Sequence, residues 1–439
     1  MLFPNISSAR VTVILGCMMA AFLVAPPSLH AQNDDEKEKE ETKTLDPRVA
    51  EDLLGAYEKM EEEKYEEALS ELNKLLERRG DKMKDFDKAS VLQVRGSAYV
   101  NLDNLDEGVE DFAAAIELDA LPAEQQNRLR YNVAQIYFVN ERYKDALQMF
   151  EDWMKGDVEV TETSYFMIAA AHYNLDELRE ALDPIKKAIE LSEKPEQRYY
   201  DLLNAAYSRL EMVPERTNLL AEMVEIWPED LQYWRQLSSL YAEQNQQMKA
   251  FSTLETAYVN GLIEEEDDII LLAQYYSTFE NPHRGAQLVA SEMEKGNVEE
   301  TVENLELLSQ LWSQAREHSK AIPVLRQAAS LSDKGDLSFR LGQALLADEK
   351  FAEAEAAFEN ALDKGGLDDA RRAESWMLLG NARFSQAGPG DRETRQSADE
   401  AFARAERFAS TRRQASDWRG YLDAINQTER RQAQLEEEQ

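Results

Sequence analysis

A helical spacing of apolar residues that returns about every 34 residues constrains this chain more than any other feature of its sequence. In the stretch 226–261 the large apolar residues form two groups, Trp234, Leu237 and Tyr241, then Ala250, Leu254 and Ala257. Intervals of three and four place each group on one stripe of an α-helix. The polar run 243–247 between them has no apolar side chain to bury. The stretch therefore predicts two short helices joined by a turn.

The same phase recurs along most of the chain. In each of the following units a small or apolar residue of the first helix is followed by a large apolar residue of the second. The pairs are Gly96 and Phe112, Ala134 and Phe150, Ala169 and Ile185, Leu308 and Leu325, Gly342 and Phe358, and Gly380 and Phe402. A helical hairpin cannot bury its apolar face alone and needs stacked neighbours. This pattern resembles the tetratricopeptide repeat. The resemblance implies an all-α superhelical solenoid of about ten helix-turn-helix units with a C-terminal capping helix, rather than an irregular bundle with coincidental spacing.

Three units depart from the regular pattern. The first helix of the chain is expected to bury Leu54, Tyr57 and Met60, about two residues out of phase. The seventh unit is expected to be interrupted at Pro282. In the last unit an insertion, AGPGDRETRQ, delays the second helix by about six residues.

The first 31 residues differ in kind from the rest. Arg10 precedes fifteen uncharged residues, and the segment closes with PPSLHA. This is the layout of a secretory signal peptide cleaved after Ala31. Fifteen apolar residues fall short of the roughly 17–25 that span a bilayer, which argues against an uncleaved anchor. Lipoprotein processing at Cys17, within ILGC, is the other alternative.

Composition restricts the location and the partners. Cys17 is the only cysteine, so a chain without its leader has no disulfide, thiol nucleophile or cysteine metal site. An exported chain without disulfides is expected in the periplasm. The formal net charge is −37, and loss of Arg10 with the leader gives −37 − 1 = −38. Such a chain repels nucleic acid and anionic lipid, so a protein partner with a basic or proline-rich segment is expected.

No motif predicts catalysis. The histidines beyond the leader, His172, His283 and His318, lie in different repeats without metal-ligand spacing. The sequence has no G-x-S-x-G motif and no phosphate-binding loop. We therefore expect no enzyme, no cofactor and no metal.

Stacked repeats leave a concave groove lined by their first helices, which predicts a binding surface. Projecting the repeat phase onto the chain places seven candidate protein-binding residues there: Gln93, Tyr131, Gln135, Phe138, Phe166, Tyr173 and Arg235. Their four aromatic rings lie in the third and fourth repeats and suit apolar or proline-bearing peptide side chains. The alternative is that some of these rings pack against the next repeat.

The segment from Asn304 to Tyr421 supports a finer resemblance. Its GDLSFRLGQ opening, its KGGL turn at 364–367 and the Ala415, Trp418 and Tyr421 pattern resemble the repeat proteins encoded beside TonB, ExbB and ExbD. The resemblance implies a periplasmic accessory to a TonB-type energy-transduction complex. The insertion near Pro389 departs from that family.

These observations predict four segments: a signal peptide at 1–31, an acidic flexible linker at 32–47, a repeat solenoid at 48–406, and a capping helix with a charged tail at 407–439. The expected function is a non-enzymatic periplasmic scaffold for protein–protein interaction and an adaptor in outer-membrane uptake. The alternative is a structural or assembly factor of the cell envelope, such as a scaffold for outer-membrane biogenesis or polysaccharide export.

Overall fold

The computed structural model describes residues 44–437. This part of the chain contains twenty-one α-helices and no β-strand. The helices are α1 Pro47–Glu61, α2 Tyr65–Arg79, α3 Asp85–Asn101, α4 Leu105–Glu117, α5 Ala123–Val139, α6 Tyr143–Met154, α7 Glu162–Asn174, α8 Leu178–Leu191, α9 Gln197–Arg209, α10 Val213–Ile226, α11 Leu231–Glu243, α12 Gln247–Val259, α13 Glu266–Thr278, α14 Pro282–Lys295, α15 Val302–Gln314, α16 His318–Leu331, α17 Asp336–Ala347, α18 Phe351–Lys364, α19 Asp369–Gln386, α20 Arg392–Ala405 and α21 Arg412–Glu437. A short 3₁₀ turn, Gly80–Lys82, precedes α3.

The first twenty helices pair in chain order into ten hairpins, from α1 with α2 (hairpin 1) to α19 with α20 (hairpin 10). The all-α repeat fold expected from the sequence is therefore confirmed. The chain divides into two compact units, 1–226 and 227–439. Hairpins 1–5 belong to the first unit, and hairpins 6–10 with α21 belong to the second.

Hairpins 2, 9 and 10 close where a glycine of the first helix meets a phenylalanine of the second. In hairpin 9 a Cβ added at Gly342 would lie 2.6 Å from the ring of Phe358, and in hairpin 10 one at Gly380 would lie 2.6 Å from Phe402. The two residues are 16 apart in hairpin 9 and 22 apart in hairpin 10. The six extra residues form the inserted turn, and the close contact of the helices is unchanged.

The turns inside hairpins 1–9 use left-handed backbone without glycine. Each of hairpins 1–9 places one non-glycine residue at positive φ between its two helices, namely Glu63, Asp103, Glu141, Asp176, Glu211, Asn245, Glu280, Arg316 and Glu349. Backbone N–H groups after that residue bond back to the last turn of the first helix, as Asn104 does to Tyr99 (2.9 Å). This is the arrangement that ends many helices, usually with glycine at the left-handed position.

One local expectation was wrong in part, and another was wrong. In α1 Leu54 is 58% exposed, and Leu53 is buried instead, together with Val49 and Ala56; the expected Tyr57 is partly buried and packs against them. Hairpin 7 is not interrupted at Pro282. That residue is the first of α14, where proline is favoured because no intrahelical N–H bond is lost, and the Asn281 side chain accepts the N–H of Arg284.

Helix α21 packs on hairpin 10 through Ala415, Trp418 and Leu422, and the Trp418 ring stacks on Phe402 at 5.4 Å. Tyr421 of the predicted pattern is 53% exposed. The same helix holds the inserted turn. Buried Arg395 donates to Gly388 O (3.1 Å) and pairs with Glu429 of α21.

No helix within 44–437 combines the length and the apolar character needed to cross a membrane. The predicted signal peptide and most of the predicted linker lie outside the described residues, so both stay predictions. Helix α1 begins at Pro47, with Asp46 capping it through the N–H of Arg48.

Candidate functional site

Four of the seven candidate residues are aromatic and lie on two neighbouring first helices of the first unit. Tyr131 and Phe138 belong to α5, and Phe166 and Tyr173 belong to α7. All four are half-buried. The helices α5, α7 and α9 contact one another in sequence, so they form one continuous first-helix face of hairpins 3–5.

Tyr131 takes part in packing as well as in this face. Its ring lies 4.7 Å from Trp153 and 6.0 Å from Phe150, both in the second helix of its own hairpin. Its hydroxyl accepts from Ser164 Oγ of α7 at 3.3 Å. Tyr131 therefore holds hairpin 4 on hairpin 3, which is the alternative that the sequence left open for these aromatics.

Phe166 is linked to the next hairpin. Its ring lies 5.0 Å from Tyr199 of α9, and the Arg198 guanidinium sits 5.3 Å from Phe166 and 5.0 Å from Tyr199. Tyr199 is 1% exposed, whereas the Arg198 side chain is 54% exposed. An exposed guanidinium over the half-buried ring of Phe166 offers a contact surface of mixed aromatic and cationic character.

Tyr173 and Phe138 lie at the C-terminal ends of their helices. The Arg209 guanidinium of α9 sits 5.2 Å from the Tyr173 ring and also pairs with Asp176. Phe138 contacts the Tyr143 ring edge-on at 5.6 Å. Both side chains keep part of their surface open to solvent.

The remaining three candidates are polar residues, and two of them lie outside α5 and α7. Gln93 lies on α3 and Gln135 on α5, both half-buried. Arg235 belongs to the second unit, where its guanidinium is shared between Asp268 (2.5 Å) and Glu265 (2.6 Å) of the following hairpin. That side chain is committed to joining hairpins 6 and 7.

Polar pairs of this kind join other first helices of the second unit. Arg340 pairs with Glu306 at 2.5 Å between hairpins 9 and 8, and Arg371 pairs with Asp336 at 2.5 Å between hairpins 10 and 9. The first helices are thus bridged by ion pairs in the second unit and by aromatic contacts in hairpins 3–5. The aromatic surface of the first unit is the better candidate for binding, because Phe138, Phe166 and Tyr173 keep part of their ring surface open to solvent.

Sequence reasoning missed Arg198 and Tyr199. The adjacent letters RYY at the start of α9 were the available signal, but the projected repeat phase selected neither residue. Over residues 44–437 no group of three or more His, Cys, Asp or Glu side chains could hold a metal ion. The chemistry that this arrangement supports is binding, because it presents aromatic rings and guanidinium groups along one face.

The comparisons with known proteins address the fold. Residues 94–155 and 339–412, which lie in hairpins 2–3 and 9–10, match the family model of the tetratricopeptide repeat. No curated protein sequence matches the chain.

Solved structures similar to this chain include YrrB, titled "a TPR protein with an unusual peptide-binding site", at 20% identity, covering 42% of this chain and 90% of YrrB with a TM-score of 0.33. MamA is 15% identical, with 39% and 90% coverage and a TM-score of 0.33. A tetratricopeptide repeat protein from Parabacteroides merdae is 15% identical, with 60% and 98% coverage and a TM-score of 0.29.

Proposed function

We propose that this chain, a tetratricopeptide-repeat protein, is a non-enzymatic protein-interaction scaffold of the bacterial periplasm that serves a TonB-type energy-transduction complex. Tetratricopeptide repeats are generally non-catalytic and commonly bind peptides or proteins, which supports the scaffold role. The signal-peptide layout of residues 1–31 supports export. The resemblance of residues 304–421 to proteins encoded beside TonB supports the specific complex.

The observation that carries the scaffold role is the aromatic first-helix face of hairpins 3–5. Half-buried rings contribute strongly to binding because they add large apolar area at little cost in side-chain entropy. Phe166 with Arg198 and Tyr173 with Arg209 place two such ring–cation pairs along neighbouring helices. An extended proline-bearing segment is a chemistry that aromatic grooves recognise.

Charge gives the second feature of the partner. With a net charge of −37, the chain attracts a basic protein segment over a Debye length of about 8–10 Å at physiological salt. We expect added salt to slow association more than it speeds dissociation, because long-range steering is what salt screens.

The test is a binding titration with the periplasmic domain of TonB from the same organism. We expect Phe166→Ala and Tyr173→Ala each to weaken Kd by roughly thirty-fold, equivalent to about 2 kcal/mol. Tyr165→Ala is the matched control. It removes a half-buried ring from the same helix α7, but that ring faces Lys187 of α8 at 5.2 Å.

Three outcomes decide between the possibilities. The adaptor role is supported if Phe166→Ala and Tyr173→Ala lose binding and Tyr165→Ala retains it. Absence of binding by the wild-type protein contradicts the TonB assignment and favours the envelope-assembly alternative. Equal binding by all variants, with unchanged thermal midpoints, contradicts the aromatic face as the site. Intact-mass measurement of the periplasmic protein tests export separately, since cleavage after Ala31 leaves Gln32 as the first residue.

A further inference from the structure

A pocket of about 370 Å³ opens between hairpins 3 and 4, away from the ring–cation pairs of the first-helix face. It lies between the second helix α6 and the first helix α7, and the turn after α7 closes one side. Its apolar wall consists of Leu147, Phe150, Met154, Ile168 and Leu175. Its polar rim consists of Lys144, Gln148, Glu151, His172 and Glu177.

The pocket coincides with a departure from the repeat pattern at His172. At the repeat position of His172, three residues after Ala169, hairpins 2, 3 and 5–8 carry a larger aromatic ring: Tyr99, Tyr137, Tyr207, Tyr241, Tyr276 and Trp312. Hairpins 1, 9 and 10 carry Lys59, Leu345 and Arg383 there. Hairpin 4 carries an imidazole, which fills less space than a phenol or an indole.

The neighbours of this position differ as well. Cations cover the ring in several hairpins, as Arg142 covers Tyr137 at 4.4 Å and Lys320 covers Trp312 at 4.4 Å. In hairpin 4 the ring Nδ1 lies 2.8 Å from the Glu177 carboxylate instead. A carboxylate therefore stands at the pocket rim at the position that Arg142 occupies in hairpin 3.

The equivalent crevice in the second unit shows what fits there. Between α12 and α13, the positions of Leu147 and Leu175 are occupied by Phe251 and Phe279, whose rings stack at 5.2 Å. Tyr276, at the position of His172, contacts Phe251 edge-on at 5.1 Å. The chain's own aromatic rings thus fill this crevice where the sequence supplies them.

Volume and charge narrow the occupant further. A cavity of about 150 Å³ is enough for a benzene molecule, so 370 Å³ admits an indole or phenol ring. Glu151 and Glu177 place two carboxylates on the rim against one ammonium group, Lys144. A basic residue next to the inserted ring would pair with that excess of negative charge.

We propose that the pocket between α6 and α7 is a second binding site, which takes one aromatic side chain of a basic segment of a partner protein. The inserted ring replaces the one that His172 lacks, and contacts Leu147, Ile168 and Leu175. The site is separate from the aromatic first-helix face and does not depend on the identity of the partner bound there.

The test uses a short defined probe, the peptide acetyl-Lys-Trp-Lys-amide, and protein labelled with ¹³C at the methionine methyl groups. Met154 is 38% exposed at the pocket wall, so its methyl resonance reports occupancy directly. We expect a saturable shift of that resonance. The peptides acetyl-Lys-Ala-Lys-amide and acetyl-Glu-Trp-Glu-amide test the ring and the charge in turn, and each should bind at least about tenfold more weakly.

Two variants fill the pocket with aromatic rings like those in the equivalent crevice of the second unit. His172→Tyr and Leu147→Phe each place in the crevice a ring of the type that hairpins 6 and 7 carry there. Either variant should reduce probe binding at least about tenfold without lowering the thermal midpoint. If one variant does not fold, the other decides. The variant Glu151→Gln should weaken binding of the basic probe several-fold and strengthen binding of the acidic one, because it removes one carboxylate from the rim.

The proposal is overturned if the Met154 methyl shows no saturable shift, if the alanine or glutamate peptide binds as well as the tryptophan–lysine probe, or if folded His172→Tyr and Leu147→Phe bind it like wild type. These outcomes are independent of the TonB titration, because the probe and the variants differ.

Discussion

Replacing Gly342 by alanine tests whether the close approach of the two helices in a hairpin depends on glycine. An added Cβ would lie 2.6 Å from Cε1, 2.7 Å from Cδ1 and 2.8 Å from Cζ of Phe358. Carbon atoms in ordinary contact are about 3.5–4.0 Å apart. The Phe358 ring is 0% exposed, so it has no solvent-filled space into which it could turn.

The magnitude follows from two opposing effects. Overpacking of a core typically costs about 1–3 kcal/mol. Alanine in place of glycine within a helix gains about 0.5–1 kcal/mol. Hairpin 3 holds Ala134 at the position of Gly342 and Phe150 at the position of Phe358, so a slightly wider helix spacing is accessible to this fold. We therefore expect a net loss of about 1–2 kcal/mol in hairpin 9.

Gly420→Ala is the matched control, since it makes the same change in α21 at an exposed position with no atom within 4 Å of the added Cβ. It should stabilise by about 0.5–1 kcal/mol. Native-state hydrogen exchange of the amides in α17 and α18, with urea melts of both variants, measures the local and global effects. A change of the same sign in both variants would refute the packing argument.

Three further predictions concern side chains of hairpins 6–8. Trp312→Ala should cost about 3–5 kcal/mol because the ring is 6% exposed, whereas Glu306→Ala on the same helix loses a half-exposed ion pair worth at most about 1 kcal/mol; equal losses in urea melts would contradict the repeat phase. Burial and the bond to Glu292 raise the pKa of Tyr258 from 10.0 to about 12, so its contribution to stability is complete below pH 10 and is lost as the pH rises through about 12; alkaline melts of Tyr258→Phe should show a smaller loss. Burial acts to raise the pKa of Glu292, but hydrogen bonds from Lys295, Asn297 and Tyr258 outweigh it and hold that pKa below 4.5. The stabilisation from this carboxylate is therefore present above pH 4.5 and is lost as the pH falls through the lower folded pKa. In acid melts, Glu292→Gln should lose less stability than wild type as the pH falls.

Local spacing was sufficient to predict the class of fold. Ala134 and Phe150, like Gly342 and Phe358, are 16 residues apart because the turns that join their helices have the same length. The pairing of a small with a large residue lies entirely within one hairpin. The six-residue delay before Phe402 could be predicted for the same reason. In α1 the apolar pattern predicted that Leu54 is buried, whereas in the packed structure Leu53 is buried and Leu54 is exposed.

The behaviour of the site residues depended on neighbours that are distant in sequence. Whether Tyr131 faces solvent or packs is decided by Trp153 and Ser164, and the availability of Arg235 is decided by Asp268 in the next hairpin. The turns are similar, since residues such as Glu349 accept a left-handed backbone because the helices on both sides are already fixed.

By itself the sequence determined that this chain forms about ten stacked helical hairpins, because hydrophobic periodicity acts within about 34 residues. Only the tertiary structure decided which aromatic side chains remain partly open and where a pocket forms. The pocket beside His172 depends on the distance between α6 and α7 and on the absence of the rings that Phe251 and Phe279 supply elsewhere. Free space between hairpins is a property of how neighbouring helices pack, and no single helix encodes it.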